Sequence, residues 1–265
     1  MQPKESINDF VIKFANVNGT GSASANGMFA KAIFRMGIPV SPRNIFPSNI
    51  QGLPTWYEVR VSQDGYLGRR GGIDMMISVN PQSFAKDVSE VEPGGYMVYD
   101  TTKPLDLRHV RRDVNYLGIP LTEMCLREYT DSRQRQLFKN VIYVGALAAL
   151  LNIDFAILKD LVREQFKGKE KLITPNIHAL EMGHQYASTH FTCPLGIHLK
   201  AGEQTPKHIE EFDQILMDGN TATALGAVYA GATVAAWYPI TPSTSVVDAF
   251  EKYCRRLRID PGTGK

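Results

Sequence analysis

The sequence predicts an α/β layer fold, and three observations carry that prediction. Strand-like and helix-like segments alternate through the first hundred residues, glycines mark the turns between them, and Ile73 to Val79 is a continuous apolar run. Such a run fits a strand covered on both faces, which needs helices packed on each side of a sheet. In order, Phe10-Val-Ile-Lys-Phe-Ala15 reads as a strand, followed by the glycine turn Asn18-Gly-Thr-Gly-Ser22. A helix begins near Ser22, with Met28, Phe29, Ala32, Ile33 and Met36 at helical spacing and Gly37 as its stop. Trp56 to Val61 alternates apolar and polar residues, as a half-buried strand does. Pro81 to Val91 reads as a helix, and Gly94-Gly95 turns the chain into the strand Tyr96 to Tyr99.

From Arg133 to His190 the pattern becomes helix upon helix. Val141 to Leu151 is apolar and alanine-rich, Asp154 offers an N-cap for a helix ending near Gly168, and Pro175 is expected to open a third. Thr192 to Pro206 has no period and reads as a linker. A second α/β unit follows, with an apolar stretch within Phe212 to Met217 and a small-residue helix over Asp218 to Gly231. The strand Thr233 to Trp237, the turn Tyr238-Pro-Ile-Thr-Pro-Ser-Thr244 and a helix to Leu257 complete it. One βαβ-like unit of about 50 residues cannot bury both faces of a sheet, so the second domain is expected to be incomplete. The expected division is residues 1–191, a linker at 192–212, and the start of a second domain at 213–265.

The composition narrows the function. Over 265 residues, 29 basic and 27 acidic side chains leave a formal charge of +2, too balanced for nucleic acid as the main partner. At 43% hydrophobic and 21% charged, the chain has enough apolar residues for a core. No stretch approaches the roughly 20 apolar residues that span a bilayer, and the polar start Met1 to Phe10 is unlike a secretory signal. Cys125, Cys193 and Cys254 are far apart, which fits a reducing cytoplasm and excludes a four-cysteine iron–sulfur or zinc site on this chain alone. A redox centre of that kind would come from a partner.

Several motifs invite chemistry. Gly19-Thr-Gly21 follows a strand, but the third glycine of a dinucleotide fingerprint falls at Ser24, and no acid occurs between Asp9 and Glu58 to take a ribose. Anion binding at the helix N-terminus and a purely structural turn both remain open there. Arg69-Arg-Gly-Gly72 could form an anion nest but reads rather as a turn between two strands. His178, Glu181 and His184 fan over one helix at a spacing that suits a solvated face better than a metal. Cys254, between Phe250 and Leu257, reads as packed rather than reactive. In Tyr238 to Thr244, two prolines stiffen a strand-to-helix turn and three hydroxyls gather at a helix N-terminus. A carboxylate or phosphate site and a rigid turn with N-cap hydroxyls fit that motif equally well.

Asp218-Gly-Asn-x-Ala-x-Ala-x-Gly-Ala followed by Tyr-Pro-Ile-Thr-Pro-Ser-Thr resembles the opening of the α, pyrimidine-type domain of 2-oxoacid:ferredoxin oxidoreductases. Gly19-Thr-Gly21, Phe46-Pro-Ser-Asn-Ile-Gln-Gly-Leu-Pro-Thr-Trp-Tyr57 and Pro93-Gly-Gly-Tyr-Met-Val-Tyr-Asp100 are similar to the γ domain of the same enzymes. A γ domain ahead of an α domain is the order of two-subunit members, often 2-oxoglutarate oxidoreductases. The chain departs from the family in having Gln51-Gly-Leu53 where many members have Arg-Gly-Gly, and in a shorter glycine loop. Family α chains also continue for several hundred residues, through a glutamate that activates thiamine diphosphate. Asp248, Glu251 and Asp260 are not placed as that glutamate would be, so the chain is expected to be truncated.

The resemblance implies cytoplasmic, CoA-dependent oxidative decarboxylation of a 2-oxoacid, with electrons passing through a [4Fe-4S] cluster to ferredoxin. It implies a β partner carrying thiamine diphosphate, Mg2+ and the cluster, and a chain inactive by itself. It places Thr241 on the substrate carboxylate, with Tyr238, Ser243 and Thr244 shaping the pocket. Gly19, Gly21 and Ser22 would meet coenzyme A or another anion. The rival reading is a non-catalytic γ-like module for subunit assembly or nucleotide binding.

Overall fold

The computed structural model describes residues 2–17, 19–45, 54–201, 215–240, 243–260 and 262–263. Two compact units divide the chain, Met1–Phe212 and Asp213–Lys265.

The first unit is built on a sheet of six strands among the described residues, in the order β3-β4-β2-β5-β6-β7. These are β2 (Asp9–Val17), β3 (Val40–Ile45), β4 (Pro54–Ser62), β5 (Ile73–Ser78), β6 (Val91–Asp100) and β7 (Asn115–Ile119). Strands β2, β5, β6 and β7 run parallel, whereas β4 is antiparallel to both β2 and β3. Ala15 lies opposite Ser78, Ser78 opposite Tyr99, and Asp100 opposite Ile119, so the C-terminal ends of the parallel strands form one common edge. A separate parallel pair joins β1 (Ser6–Ile7) to β8 (Ile197–His198).

Side chains alternate across β2, as the pleat requires. Phe10, Ile12 and Phe14 enter one core with Met75, Ile77 and Val98, beneath helices α1 (Ser22–Arg35) and α4 (Ser132–Leu151). Val11 and Ala15 enter a second core with Met76 and Met97, closed by Phe84 and Val88 of helix α2 (Phe84–Glu90). The continuous apolar run of β5 is therefore explained: all six of its residues are buried.

The remaining helices of this unit are α3 (Leu121–Glu128), α5 (Phe155–Gln165) and α6 (Glu170–His190). The Asp131 and Asp154 side chains cap α4 and α5, accepting from Gln134 N at 2.8 Å and Ala156 N at 2.9 Å. Helices α4 and α6 meet at paired glycines. A methyl group on Gly145 would overlap the Leu180 carbonyl, and one on Gly183 would overlap the Ile142 carbonyl. Only glycine lets the two backbones come this close.

Several expectations need correction. Strand β4 is buried on both faces rather than half-buried, because Glu58 and Arg60 turn inward onto charged partners: Arg69 at 3.7 Å from Glu58, and Asp9 beside Arg60. Strand β3 is unmarked in the sequence because Pro42 interrupts it, which only an edge strand tolerates. Pro175 lies inside α6 instead of opening it. Burial of Ile173 anchors the preceding turn, and Asn176 Nδ2 donates to the Leu172 carbonyl at 2.8 Å beside the lost amide. Of the stretch read as a linker, Leu195, Ile197 and Leu199 are buried in the first core, with Leu195 N and Leu199 N bonded to α4 carbonyls. Residues 202–212 lie outside the described set.

In the second unit, α7 (Gly219–Tyr229) and α8 (Thr244–Leu257) bury Ala224, Val228 and Phe250 between them. Thr233 to Trp237, expected as a strand, is irregular. A strand needs a neighbour for its backbone hydrogen bonds, and none lies beside it among the described residues of this unit.

Candidate functional site

The glycine turn sits at the C-terminal edge of β2, where α1 begins. Gly19 and Gly21 hold φ of 84° and 76°, a left-handed conformation that favours glycine. Gly21 is the N-cap of α1 and supplies no side-chain acceptor, so the helix's leading N–H groups are left without a side-chain cap. Ser22, the first helical residue, is buried, whereas Gly19 and Gly21 are exposed. Helix α4 braces the turn: Asn140 Nδ2 donates to the Thr20 carbonyl at 2.9 Å, and the end of the Leu137 side chain lies against Gly21. The backbone is thus fixed in a form that presents amide hydrogens and a positive dipole end to an anion.

Beside the turn, β5 and β6 end in a cavity of ≈ 110 Å³ whose lining includes Ser78, Phe84, Tyr99, Asp100, Lys103 and Lys139. Beneath it Asp87 is fully buried and accepts from Trp56 Nε1 at 2.8 Å, Ser83 Oγ at 2.8 Å and Ser78 Oγ at 2.9 Å. Burial raises the Asp87 carboxyl above its usual range, and these three donors only partly oppose that. Sequence reasoning missed this cavity because its residues come from three separate segments, 78–84, 99–106 and Lys139, with no shared motif.

In the second unit the two motifs come together. Asp218 caps α7, accepting from Thr221 N at 2.9 Å and Thr221 Oγ1 at 2.7 Å. Burial works against its charge, but these bonds and neighbouring backbone amides hold its carboxyl below the ordinary value. Asn220 Nδ2 donates to Ser245 Oγ at 2.7 Å, which ties the N-terminus of α7 to that of α8. Arg258 ties the other ends, donating to the Val228 carbonyl at 2.7 Å.

Ser243 does not cap α8. Its hydroxyl donates backward to the Tyr238 carbonyl at 3.0 Å and the Ile240 carbonyl at 2.5 Å, which folds the turn and leaves α8 without a side-chain cap. Thr244 is the first residue of α8, and Tyr238 is strongly exposed. Thr241 and Pro242 lie outside the described residues, as does Phe46 to Leu53.

The other motifs hold structure. Arg69 and Arg70 pair with Glu58 and Asp74. His178 meets Glu128 at 2.9 Å, Glu181 meets Lys159 at 2.7 Å, and the His184 ring packs on Phe155, so the three have separate partners. Cys254 packs beside Phe250, while burial pushes the Cys125 thiol up to about 11.

Comparisons with known proteins agree with this architecture. The profile of the pyruvate ferredoxin/flavodoxin oxidoreductase family matches residues 11–186. The α subunit of 2-oxoacid:ferredoxin oxidoreductase 2 from Aeropyrum pernix is 25% identical over 92% of this chain and 43% of its own length. The 2-oxoglutarate oxidoreductase subunit KorA of Mycobacterium tuberculosis is 21% identical over 94% of this chain and 42% of its own. The chain therefore spans less than half the length of these relatives.

Among solved structures, the 2-oxoglutarate:ferredoxin oxidoreductase of Magnetococcus marinus, with 2-oxoglutarate, coenzyme A and succinyl-CoA bound, superposes with a TM-score of 0.78. The match has 25% identity and covers 94% of this chain and 42% of that one. The pyruvate oxidoreductase subunit PORC of Thermotoga maritima shares the fold at a TM-score of 0.55 and 20% identity, over 67% of this chain and 96% of that one. With two thirds of its length under the family profile, and with its sheet and helices shared with these enzymes, the chain belongs to the pyruvate ferredoxin/flavodoxin oxidoreductase family.

Proposed function

We propose that this chain forms part of a 2-oxoacid:ferredoxin oxidoreductase that converts a 2-oxoacid and coenzyme A to an acyl-CoA and CO2 and passes electrons to ferredoxin. The supporting observation is the reach of the similarity: it extends beyond the first unit to 94% of the chain in the Magnetococcus enzyme. The substrate to test first is 2-oxoglutarate, which both that structure and KorA carry in their names.

In this reading the second unit binds the 2-oxoacid carboxylate. The Thr241 hydroxyl donates to it, Tyr238 and Thr244 flank it, and Ser243 shapes the turn. The free amide end of α8 supplies partial positive charge for the same carboxylate. In the first unit Gly19, Gly21 and Ser22 present the α1 N-terminus to an anionic group of coenzyme A.

Thiamine diphosphate supplies the electron sink for loss of CO2. It is assigned, with Mg2+ and a [4Fe-4S] cluster, to a β partner that also serves ferredoxin. Among the described residues no three His, Cys, Asp or Glu side chains group together, so these residues do not fit the cluster.

The test is a pair of substitutions in the assembled enzyme. A hydroxyl donating to a carboxylate contributes roughly 1.5–3 kcal/mol. Thr241→Ala should therefore lower kcat/KM by about one to two powers of ten, and Thr241→Ser should lower it much less. Equal kcat/KM in parent, Ala and Ser enzymes removes Thr241 from the substrate site.

A further inference from the structure

The cavity at the C-terminal edge of β5 and β6 combines an apolar interior with one unspent positive charge. Phe84 is buried in its wall, Val79, Tyr99 and Leu105 are half-buried, and Pro81 and Lys103 stand exposed at its mouth. Ser78 donates its hydroxyl proton to Asp87 at 2.9 Å and has none to offer a ligand.

The other charges are matched. Asp100 accepts from Thr102 N and Thr122 N, each at 3.2 Å, and from the Thr122 hydroxyl, and Lys139 is its charged partner at 3.8 Å. Asp106 is held by the Arg108 guanidinium through bonds of 2.9 and 2.7 Å. Lys103 N donates to the Asp100 carbonyl at 3.3 Å, which fixes where this residue leaves β6. Its exposed ammonium has no hydrogen bond or ion pair among the described residues. With each carboxylate matched by a cation, Lys103 is the charge left over.

The volume sets the size of what can enter. A cavity of about 150 Å³ holds benzene, with its six carbons, so ≈ 110 Å³ holds roughly four carbons. That excludes a sugar or a purine and suits a short alkyl chain, whose burial needs no polar partner. The place is also favourable, since open parallel sheets bind ligands beyond the C-terminal ends of their strands.

We propose that this cavity binds a short-chain aliphatic monocarboxylate, with the alkyl tail against Phe84, Tyr99 and Leu105 and the carboxylate at Lys103. Asp87 supports the wall from behind. By accepting from Ser83 Oγ and Trp56 Nε1 it ties the start of α2, which carries Phe84, to the sheet, so the wall is set before a ligand arrives. All of these residues belong to the first unit, so binding there does not depend on the carboxylate site proposed at Thr241.

Ligand-observed NMR titration of the full chain tests this with acetate, propionate, butyrate, valerate and octanoate, and with valeramide as the neutral counterpart of valerate. Each added methylene from acetate to valerate should tighten binding by about fourfold. The rise should stop there, because the further carbons of octanoate have no wall to cover them. Valerate should bind about three- to fivefold more tightly than valeramide at low salt. Lys103→Ala should remove that preference while leaving valeramide unchanged, with circular dichroism matching the parent. Leu105→Ala should weaken valerate more than acetate.

The chain-length profile of the parent decides the matter even if the Leu105 variant fails to fold. No binding of any acid, an affinity independent of chain length, or one still rising to octanoate overturns the proposal. Equal affinity for valerate and valeramide, or a Lys103 variant that keeps the preference, overturns it as well. Because the readout is binding without turnover, the result is independent of whether the assembled enzyme decarboxylates any 2-oxoacid.

Discussion

Gly183 gives a test of the first unit with an internal control of opposite sign. A β-carbon added there overlaps the Ile142 carbonyl oxygen and stands 2.8 Å from both Ala146 N and Ile142 C, all backbone atoms of α4. No rotamer change relieves this, so α4 and α6 must move apart by roughly an ångström in a close-packed interior. Overpacking of this kind costs about 1–3 kcal/mol, and backbone against backbone belongs at the upper end. The alanine returns up to about 1 kcal/mol of helix propensity. The net loss is then about 2 kcal/mol, or a fall in Tm of about 4–8 °C for a domain of this size.

Gly27, within α1, has no atom within 4 Å of the point where a β-carbon would sit. Gly27→Ala should therefore gain propensity without strain and raise Tm by about 2–4 °C. Calorimetric scans of both variants beside the parent decide the matter. If Gly183→Ala melts at or above the parent temperature, the close backbone contact between α4 and α6 is wrong.

Two further predictions concern buried or capping carboxylates. Asp218→Ala removes the N-cap of α7 and should cost about 1 kcal/mol, read as faster amide exchange in Thr221 and its helical neighbours. Asp87 is raised above 3.8 by burial, so its contribution is complete below that pH and is lost as pH rises through its folded value. Urea unfolding from pH 4 upward should show the parent losing stability relative to Asp87→Asn; parallel curves would show that Asp87 ionises without penalty.

Much of the first unit was legible because its signals are local. The apolar run of β5, the helical spacing of Met28, Phe29 and Ile33, and the glycines at 19, 21 and 37 each state their own conformation. What escaped depends on distant partners. Pro42 hides an edge strand that only β4 reveals, and Pro175 is tolerated because Ile173 finds a core. The alternation of β4 reads as half-exposed until Asp9 and Arg69 are seen to pair with the buried Arg60 and Glu58.

At the sites the division is similar. The glycine turn and the Asp218 and Tyr238 motifs are contiguous in sequence, whereas their link through Asn220 and Ser245 joins residues 25 apart. The cavity gathers Ser78, Tyr99, Lys103 and Lys139, whose convergence exists only in the folded sheet.

The central claim is tested most directly by purifying this chain with its co-expressed β partner and measuring viologen reduction with 2-oxoglutarate, with and without coenzyme A. The predicted result is a coloured complex whose dye reduction requires coenzyme A and yields succinyl-CoA, while the chain alone gives no turnover. Turnover by the isolated chain would contradict the account. So would a complex loaded with thiamine diphosphate and cluster that forms no acyl-CoA from any 2-oxoacid, which would leave a non-catalytic assembly module.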